Sequence, residues 1–158
     1  SQVLHNLSPE ELIERLLPLW EKEGWKSHIY NKQWTICLAE LIGPSLTLLV
    51  DGVEQSRPFL EDISIKEDGF NQLKKEGAKA AIKALLEKLE KSPWDGVEID
   101  LAKDLLKEAA SSVGVKKGLL MQSLRAALLG QMNGPDLITS WSLLAKTNQD
   151  IKRLRDCL

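Results

Sequence analysis

The sequence predicts an all-α fold, an irregular bundle (an α-helical cage) of about eight helices in two subdomains. Three observations carry this. Leucine dominates, β-branched residues are sparse, and Phe and Tyr contribute only two and one residues, a composition that favours helix over sheet. Apolar residues recur at three- and four-residue spacing through most of the chain. The periodic segments are also punctuated by helix-starting Ser-Pro and Gly-Pro pairs and by helix-stopping glycines. No strand-like alternation of useful length appears, and no repeat at solenoid periods.

The first helix spans Leu7 to Glu23. Ser8 suits the N-cap, Pro9 the first helical position, and Glu11 closes a capping box. Leu12, Leu16 and Trp20 share one face, and Pro18 predicts a kink or break because it removes a backbone donor. Gly24 ends the element. A second helix spans Asn31 to Ile42, with Trp34, Leu38, Leu41 and Ile42 apolar, and Gly43-Pro44 stops it. Ser45 to Val53 reads as a short third helix with Leu46, Leu49, Val50 and Val53 facing inward, frayed by Asp51-Gly52. Arg57-Pro58-Phe59 reads as a loop that docks an aromatic ring. Ile63 to Gly69 is a polar connector, and it places the subdomains at residues 1–65 and 66–158.

Ala78 to Lys91 is the clearest amphipathic helix, with Ala78, Ala81, Ile82, Leu85, Leu86 and Leu89 in register. Ser92-Pro93-Trp94-Asp95 resembles a second capping signal. It introduces a helix towards Ser111 with Ile99, Leu101, Leu105 and Leu106 apolar. The next helices cover Lys117–Leu129 and Pro135–Leu144. Thr147 is the N-cap candidate for a last helix carrying Ile151, Leu154 and Leu158. The five tryptophans read as core.

At 158 residues, 43% apolar and 28% charged, the chain is long enough for a real core and too apolar for disorder. A net charge of −2 supplies no global field for a polyanion, so any nucleic-acid contact must be local. Two cysteines, Cys37 and Cys157, and two histidines, His5 and His28, are too few and too scattered for a zinc site or a disulfide framework. They point to a reducing, intracellular setting. No signal peptide is read at the N-terminus. The most apolar run, Leu38 to Val50, is too short to span a bilayer, so no membrane association is expected. A glycine-rich phosphate loop is absent and no nucleophile–base pair stands out. The chain is therefore not expected to be an enzyme on its own.

One stretch runs against the overall charge. Between Glu108 and Asp136 there is no acid, while Lys116, Lys117 and Arg125 are basic. Gly114 and Gly118 bracket the lysines, Arg125 sits in the apolar run Leu119 to Leu129, and that run is closed by Gly130 and then by Gly134-Pro135. Arg125 is either a structural arginine that bonds carbonyls or an acid, or a guanidinium aimed at an RNA base or phosphate. Lys116 and Lys117 are either plain surface charges or contacts to a phosphate backbone. Of Leu137 and Ile138, one should face the core and the other offer an apolar surface to an unstacked base.

This stretch resembles the C-terminal half of bacterial-type glutamyl-tRNA synthetases. The carriers are Lys117-Gly118, then Ser123-Leu124-Arg125-Ala126-Ala127-Leu128-Leu129-Gly130, then Gly134-Pro135-Asp136-Leu137. Further support comes from the capped first helix with its internal proline, the Pro44 to Leu48 segment and, after it, Phe59 to Asp62, and Trp94. The resemblance implies the anticodon-binding region, a helical cage. Arg125 would approach an anticodon base, and Gly134, Pro135, Leu137 and Ile138 would line its pocket. The parent synthetase would use ATP and magnesium in a catalytic half whose motifs do not occur here, so no cofactor is expected in this chain. Partners would be the tRNA anticodon loop and that catalytic half, in a cytoplasmic monomer. Ser45 comes after Pro44 where discriminating members carry arginine, which implies a parent that also accepts glutamine tRNA. Ser123 stands where proline is usual, loosening a helix start, and Leu129 replaces a threonine. The competing reading is a helical interaction scaffold with no RNA partner, in which Arg125 would be buried against an acid.

Overall fold

The computed structural model describes residues 6–25 and 31–158. His5 and His28 lie outside the described residues, so the readings placed on them do too. Nine α-helices occur among the described residues, and no strand. The chain divides into two compact units, Ser1–Asp62 and Ile63–Leu158.

The first unit holds α1 (Pro9–Lys22), α2 (Lys32–Ile42), a 3-10 turn (Gly43–Ser45) and α3 (Leu49–Leu60). The capping box forms as the sequence predicts. Glu11 N–H donates to Ser8 Oγ at 3.1 Å, and Ser8 N–H donates to Glu11 Oε1 at 3.0 Å. The Ser8 N–H, and after it the Ser8 hydroxyl, hold the Glu11 carboxyl below its ordinary range. Pro18 does not break α1, because it lies on the exposed face, where the carbonyl it orphans meets water. Gly24 adopts φ +83° and closes α1 with bonds from Gly24 N–H to the Glu21 carbonyl and from Trp25 N–H to the Trp20 carbonyl.

The third helix begins and ends later than the sequence predicts. Asp51 accepts the Leu48 N–H at 3.3 Å, so it starts α3 rather than fraying it. Gly52 is a close approach to α1, since a Cβ there would sit 2.8 Å from Leu16 Cδ2. Val50 turns outward, 60% exposed, against expectation. Arg57-Pro58-Phe59 is the last turn of α3 rather than a loop, with Phe59 wholly buried. Arg57 anchors this end of the unit. Its guanidinium bonds Glu23 at 2.7 Å, Glu54 at 2.9 Å and Glu61 at 3.3 Å, and stacks 5.0 Å from the Trp25 ring centroid. The bonds to Glu54 and then Glu23 hold its proton more tightly than in a free arginine.

The second unit holds α4 (Glu67–Leu73), α5 (Ala78–Lys91), α6 (Ile99–Ser112), α7 (Lys117–Leu129), α8 (Leu137–Lys146) and α9 (Gln149–Asp156). Helix α7 is its centre and touches α4, α5, α6, α8 and α9. Leu120, Leu124 and Leu128 are fully buried along it, each worth about 1.5–3 kcal/mol of burial. The bounds of α5 and α7 agree with the sequence reading. Half of the supposed connector at Ile63–Gly69 is instead the start of α4, made helical by packing on α7.

Ser92-Pro93-Trp94-Asp95 starts no helix. Ser92 caps the end of α5, and residues 93–98 form a loop that buries Trp94, whose Nε1 donates to the Glu98 carbonyl at 3.0 Å. Gly96, at φ +82°, lies so close to α8 that a Cβ would meet the Ser142 carbonyl at 2.6 Å. The inner face of α6 is Ala102, Leu106, Ala109 and Ala110, whereas Ile99 and Leu101 are exposed. Small residues let α5 and α7 approach, and periodicity alone does not rank alanine above leucine. Helix α9 starts after Asn148, at φ +59°, rather than at Thr147, and Leu158 is exposed rather than packed.

All five tryptophans are buried. Trp141 donates to Asp150 Oδ2 at 3.0 Å and meets Trp94 edge-on, with centroids 4.7 Å apart.

Candidate nucleic-acid interface

Helix α7 carries Arg125 to the turn at its C-terminal end. Gly130 ends the helix at φ +77°, and only glycine fits there. A Cβ would lie 2.5 Å from the Ser64 carbonyl oxygen. The Lys66 N–H donates to the Gly130 carbonyl at 2.7 Å, and Asp68 accepts the Met132 N–H at 3.2 Å. Gly69 completes the contact, since a Cβ on it would lie 2.8 Å from the Gly130 oxygen. The first turn of α4 therefore clamps the Gly130–Pro135 turn. Asp68 and Met132 are 64 residues apart, and nothing in the local sequence marks the pair.

Arg125 is half-buried, and its Nη1 donates to the Pro135 carbonyl at 2.9 Å. Among the described residues it makes no ion pair. Gly134, at φ +149°, leaves room for the guanidinium, because a Cβ there would come within 3.3 Å of Nη1. One corner of the guanidinium is thus spent on orientation, and the other N–H groups are left for an outside acceptor. The buried structural arginine of this unit is a different residue, Arg153, which sequence reasoning missed. It donates to the Leu128 carbonyl at 2.7 Å and to Gln149 Oε1 at 2.8 Å, and so ties α9 to the end of α7. Its signal was its place one turn into an amphipathic terminal helix.

Pro135 precedes α8 rather than opening it. Asp136 is the N-cap, and its Oδ2 accepts the Thr139 N–H at 2.9 Å. Leu137 is buried and Ile138 half-buried, so one faces the core and the other is partly open. Arg125, Gly134, Pro135, Leu137 and Ile138 are thereby brought to one place. Lys116 and Lys117 are not. They are exposed at the opposite end of α7, with Lys117 about 12 Å from Arg125 along the axis. Ser123 does not loosen a helix start, as expected from its alignment with a proline. It lies inside α7, where its Oγ donates to the Leu119 carbonyl at 2.7 Å and accepts from Gln72 Nε2 at 3.2 Å. Leu129 is buried as the last residue of α7.

In the first unit, Pro44 and Ser45 are exposed in the 3-10 turn. Pro44 borders a cleft of about 220 Å³ shared with Leu12, Ala39 and Glu40. Ser45 Oγ lies 3.0 Å from the Ile42 carbonyl and 2.9 Å from Gln55 Oε1, so its proton is held within the unit. Among the described residues no cluster of three His, Cys, Asp or Glu is placed to hold a metal, and no helix is long and apolar enough to cross a membrane.

The sequence matches the family described as "Anticodon binding domain" over residues 11–158. The chain belongs to that family. This anticodon-binding domain is similar along its whole length to curated glutamate–tRNA ligases. It is 55% identical to that of Synechococcus sp. (strain CC9311) and 52% identical to that of Prochlorococcus marinus (strain MIT 9313), covering 100% of this chain and 33% of each relative. The chain thus spans about a third of the length of the curated relatives it matches. Its fold is that of a solved glutamate tRNA ligase from Elizabethkingia meningosepticum CCUG26117 in complex with its amino acid. That match has a TM-score of 0.83 at 18% identity, over 99% of this chain and 30% of the other. A glutamate-tRNA synthetase from Elizabethkingia anophelis superposes with a TM-score of 0.78 at 19% identity, over 99% and 29%.

Proposed function

We propose that this anticodon-binding domain serves a glutamate–tRNA ligase by recognising the anticodon loop of glutamate tRNA, with Arg125 reading a base. The observation that carries the reading is the guanidinium itself. It is oriented by the Pro135 carbonyl, makes no ion pair among the described residues, and stands at a clamped turn beside a half-open Ile138. The scaffold alternative calls for a buried, acid-paired Arg125, and the observed partner is a neutral carbonyl. Gly134, Pro135, Leu137 and Ile138 would form the wall against which an unstacked base packs. Lys116 and Lys117 would meet phosphates. The ligase would act as a cytoplasmic monomer, with ATP and magnesium used by a catalytic half joined to this domain.

Ser45 bears on breadth. Its hydroxyl is spent within the unit, so it offers no cationic fork where discriminating relatives carry arginine, and the parent would accept glutamine tRNA as well.

The test is a titration of the 158-residue chain with a glutamate anticodon stem-loop, a glutamine anticodon stem-loop and a loop with swapped anticodon bases, at low salt. Glutamate and glutamine loops should bind more tightly than the swapped loop. Arg125→Ala should erase that preference, a loss of about 1–3 kcal/mol. Equal binding of all loops by the wild-type chain would remove the base-reading claim. Absence of binding would return the scaffold reading.

A further inference from the structure

The two turns that carry the lysine pairs of the second unit meet in space. Lys74-Lys75 lie in the turn between α4 and α5, and Lys116-Lys117 at the turn between α6 and α7, about forty residues later in the chain. Gly77 brings the turns together. It takes φ +84°, and a Cβ on it would sit 2.7 Å from Val115 Cγ1 and 3.6 Å from Leu119 Cδ2. All four lysines are exposed, and none makes an ion pair among the described residues. Glu76 is the one carboxylate in the two turns. The approach to the lysines is open, because nothing lies within 4 Å of a Cβ placed on Gly114 or Gly118. No side chain caps the first turn of α7, so its positive end adds to the same field.

We infer that Lys74, Lys75, Lys116 and Lys117 form one cationic surface that takes the sugar–phosphate backbone of RNA, apart from the base-reading turn at Arg125. The inference rests on the reading of the chain as an RNA-binding domain and extends it to residues of the α4–α5 turn that carry no motif. Unpaired ammonium groups are flexible point charges without the planar fork of arginine. They suit phosphates, whose position varies little with sequence, and not base edges. The surface also explains how a chain of net charge −2 can hold a polyanion, since the two turns carry four lysines and one carboxylate, Glu76. Lys117 lies about 12 Å along α7 from Arg125, so one anticodon arm can reach both.

The experiment measures binding of the full chain to the glutamate anticodon stem-loop and to the swapped loop at several salt concentrations. It compares the wild type with Lys74→Gln/Lys75→Gln and with Lys91→Gln/Lys103→Gln, which removes two exposed lysines of α5 and α6 away from the two turns. Far-UV ellipticity verifies folding. Removing Lys74 and Lys75 should raise Kd about 5- to 10-fold at low salt for both loops alike and flatten the plot of log K against log salt by about 1.5. The Lys91/Lys103 variant should leave the slope in place. If the wild type discriminates between loops but the Lys74/Lys75 slope is unmoved, this surface is wrong and the base-reading site stands. If both variants flatten the slope equally, the effect is net charge and the surface is wrong. If the wild type binds no RNA, both readings fall.

Discussion

Replacing Gly130 by alanine tests the clamp that presents the candidate site. Two costs combine. The left-handed backbone at φ +77° strains a residue with a Cβ by about 1–2 kcal/mol. The new methyl would also stand 2.5 Å from the Ser64 carbonyl oxygen, a backbone atom that cannot swing aside. Relief requires the Ile63–Lys66 segment to move off the turn, which weakens the 2.7 Å bond from the Lys66 N–H to the Gly130 carbonyl. A bond of this kind contributes about 0.5–1.5 kcal/mol. Together these predict a loss of about 1.5–3.5 kcal/mol. Gly114→Ala is the matched control. Its φ is +69°, and nothing lies within 4 Å of the added methyl, so it should show the strain alone, about 1–2 kcal/mol. The assay is equilibrium urea unfolding, read by far-UV ellipticity and Trp fluorescence. If Gly130→Ala costs no more than Gly114→Ala, the close approach of α4 to the turn does not constrain it and the clamp argument fails.

Three further outcomes are expected. Asp68→Ala should change stability by less than about 0.5 kcal/mol, because the bond is exposed. It should still speed amide hydrogen exchange at Met132 several-fold, and an unchanged exchange rate would show that Asp68 does not hold the turn. Arg57→Gln should cost about 1–2 kcal/mol at low salt, since it leaves Glu23, Glu54 and Glu61 facing one another and uncovers Trp25. The pairs are a third exposed or more, so the loss should shrink in about 1 M salt. A salt-independent loss would assign the effect to packing. Burial raises the Asp150 pKa, offset in part by the bond from Trp141. A raised carboxyl binds its proton more tightly in the folded state, so its contribution to stability falls as pH rises from the unfolded value through the folded one. Asp150→Asn removes that fall while leaving Trp141 an amide oxygen to donate to. The variant should therefore gain on the wild type as pH rises above the ordinary aspartate value of about 4 in urea unfolding, and a loss over that rise would reverse the assignment.

Features that depend on neighbours a few residues apart were legible in the chain alone. The Ser8–Glu11 capping box, the stop at Gly24 and the bounds of α5 and α7 all come from side chains about one turn apart. The apolar setting of Arg125, the glycines around it and the linear motif that resembles the synthetases could be read for the same reason. The folded chain decided the rest, wherever packing overrides local preference. Ile63–Gly69 reads as loop, yet Gly69 packs on Gly130 and the segment becomes α4. Ser92-Pro93-Trp94-Asp95 reads as a helix start, yet burying Trp94 and seating Gly96 against Ser142 stretches it into a loop. Val50 and Leu101 carry apolar side chains outward, because glycine and alanine make the close helix contacts of α3 and α6. The candidate site divides in the same way. Arg125 was visible in the chain, but its Pro135 partner, the Asp68 clamp and the contact between the turns of Lys74-Lys75 and Lys116-Lys117 were not. These pair residues from separate elements, and only folding brings such residues within bonding distance.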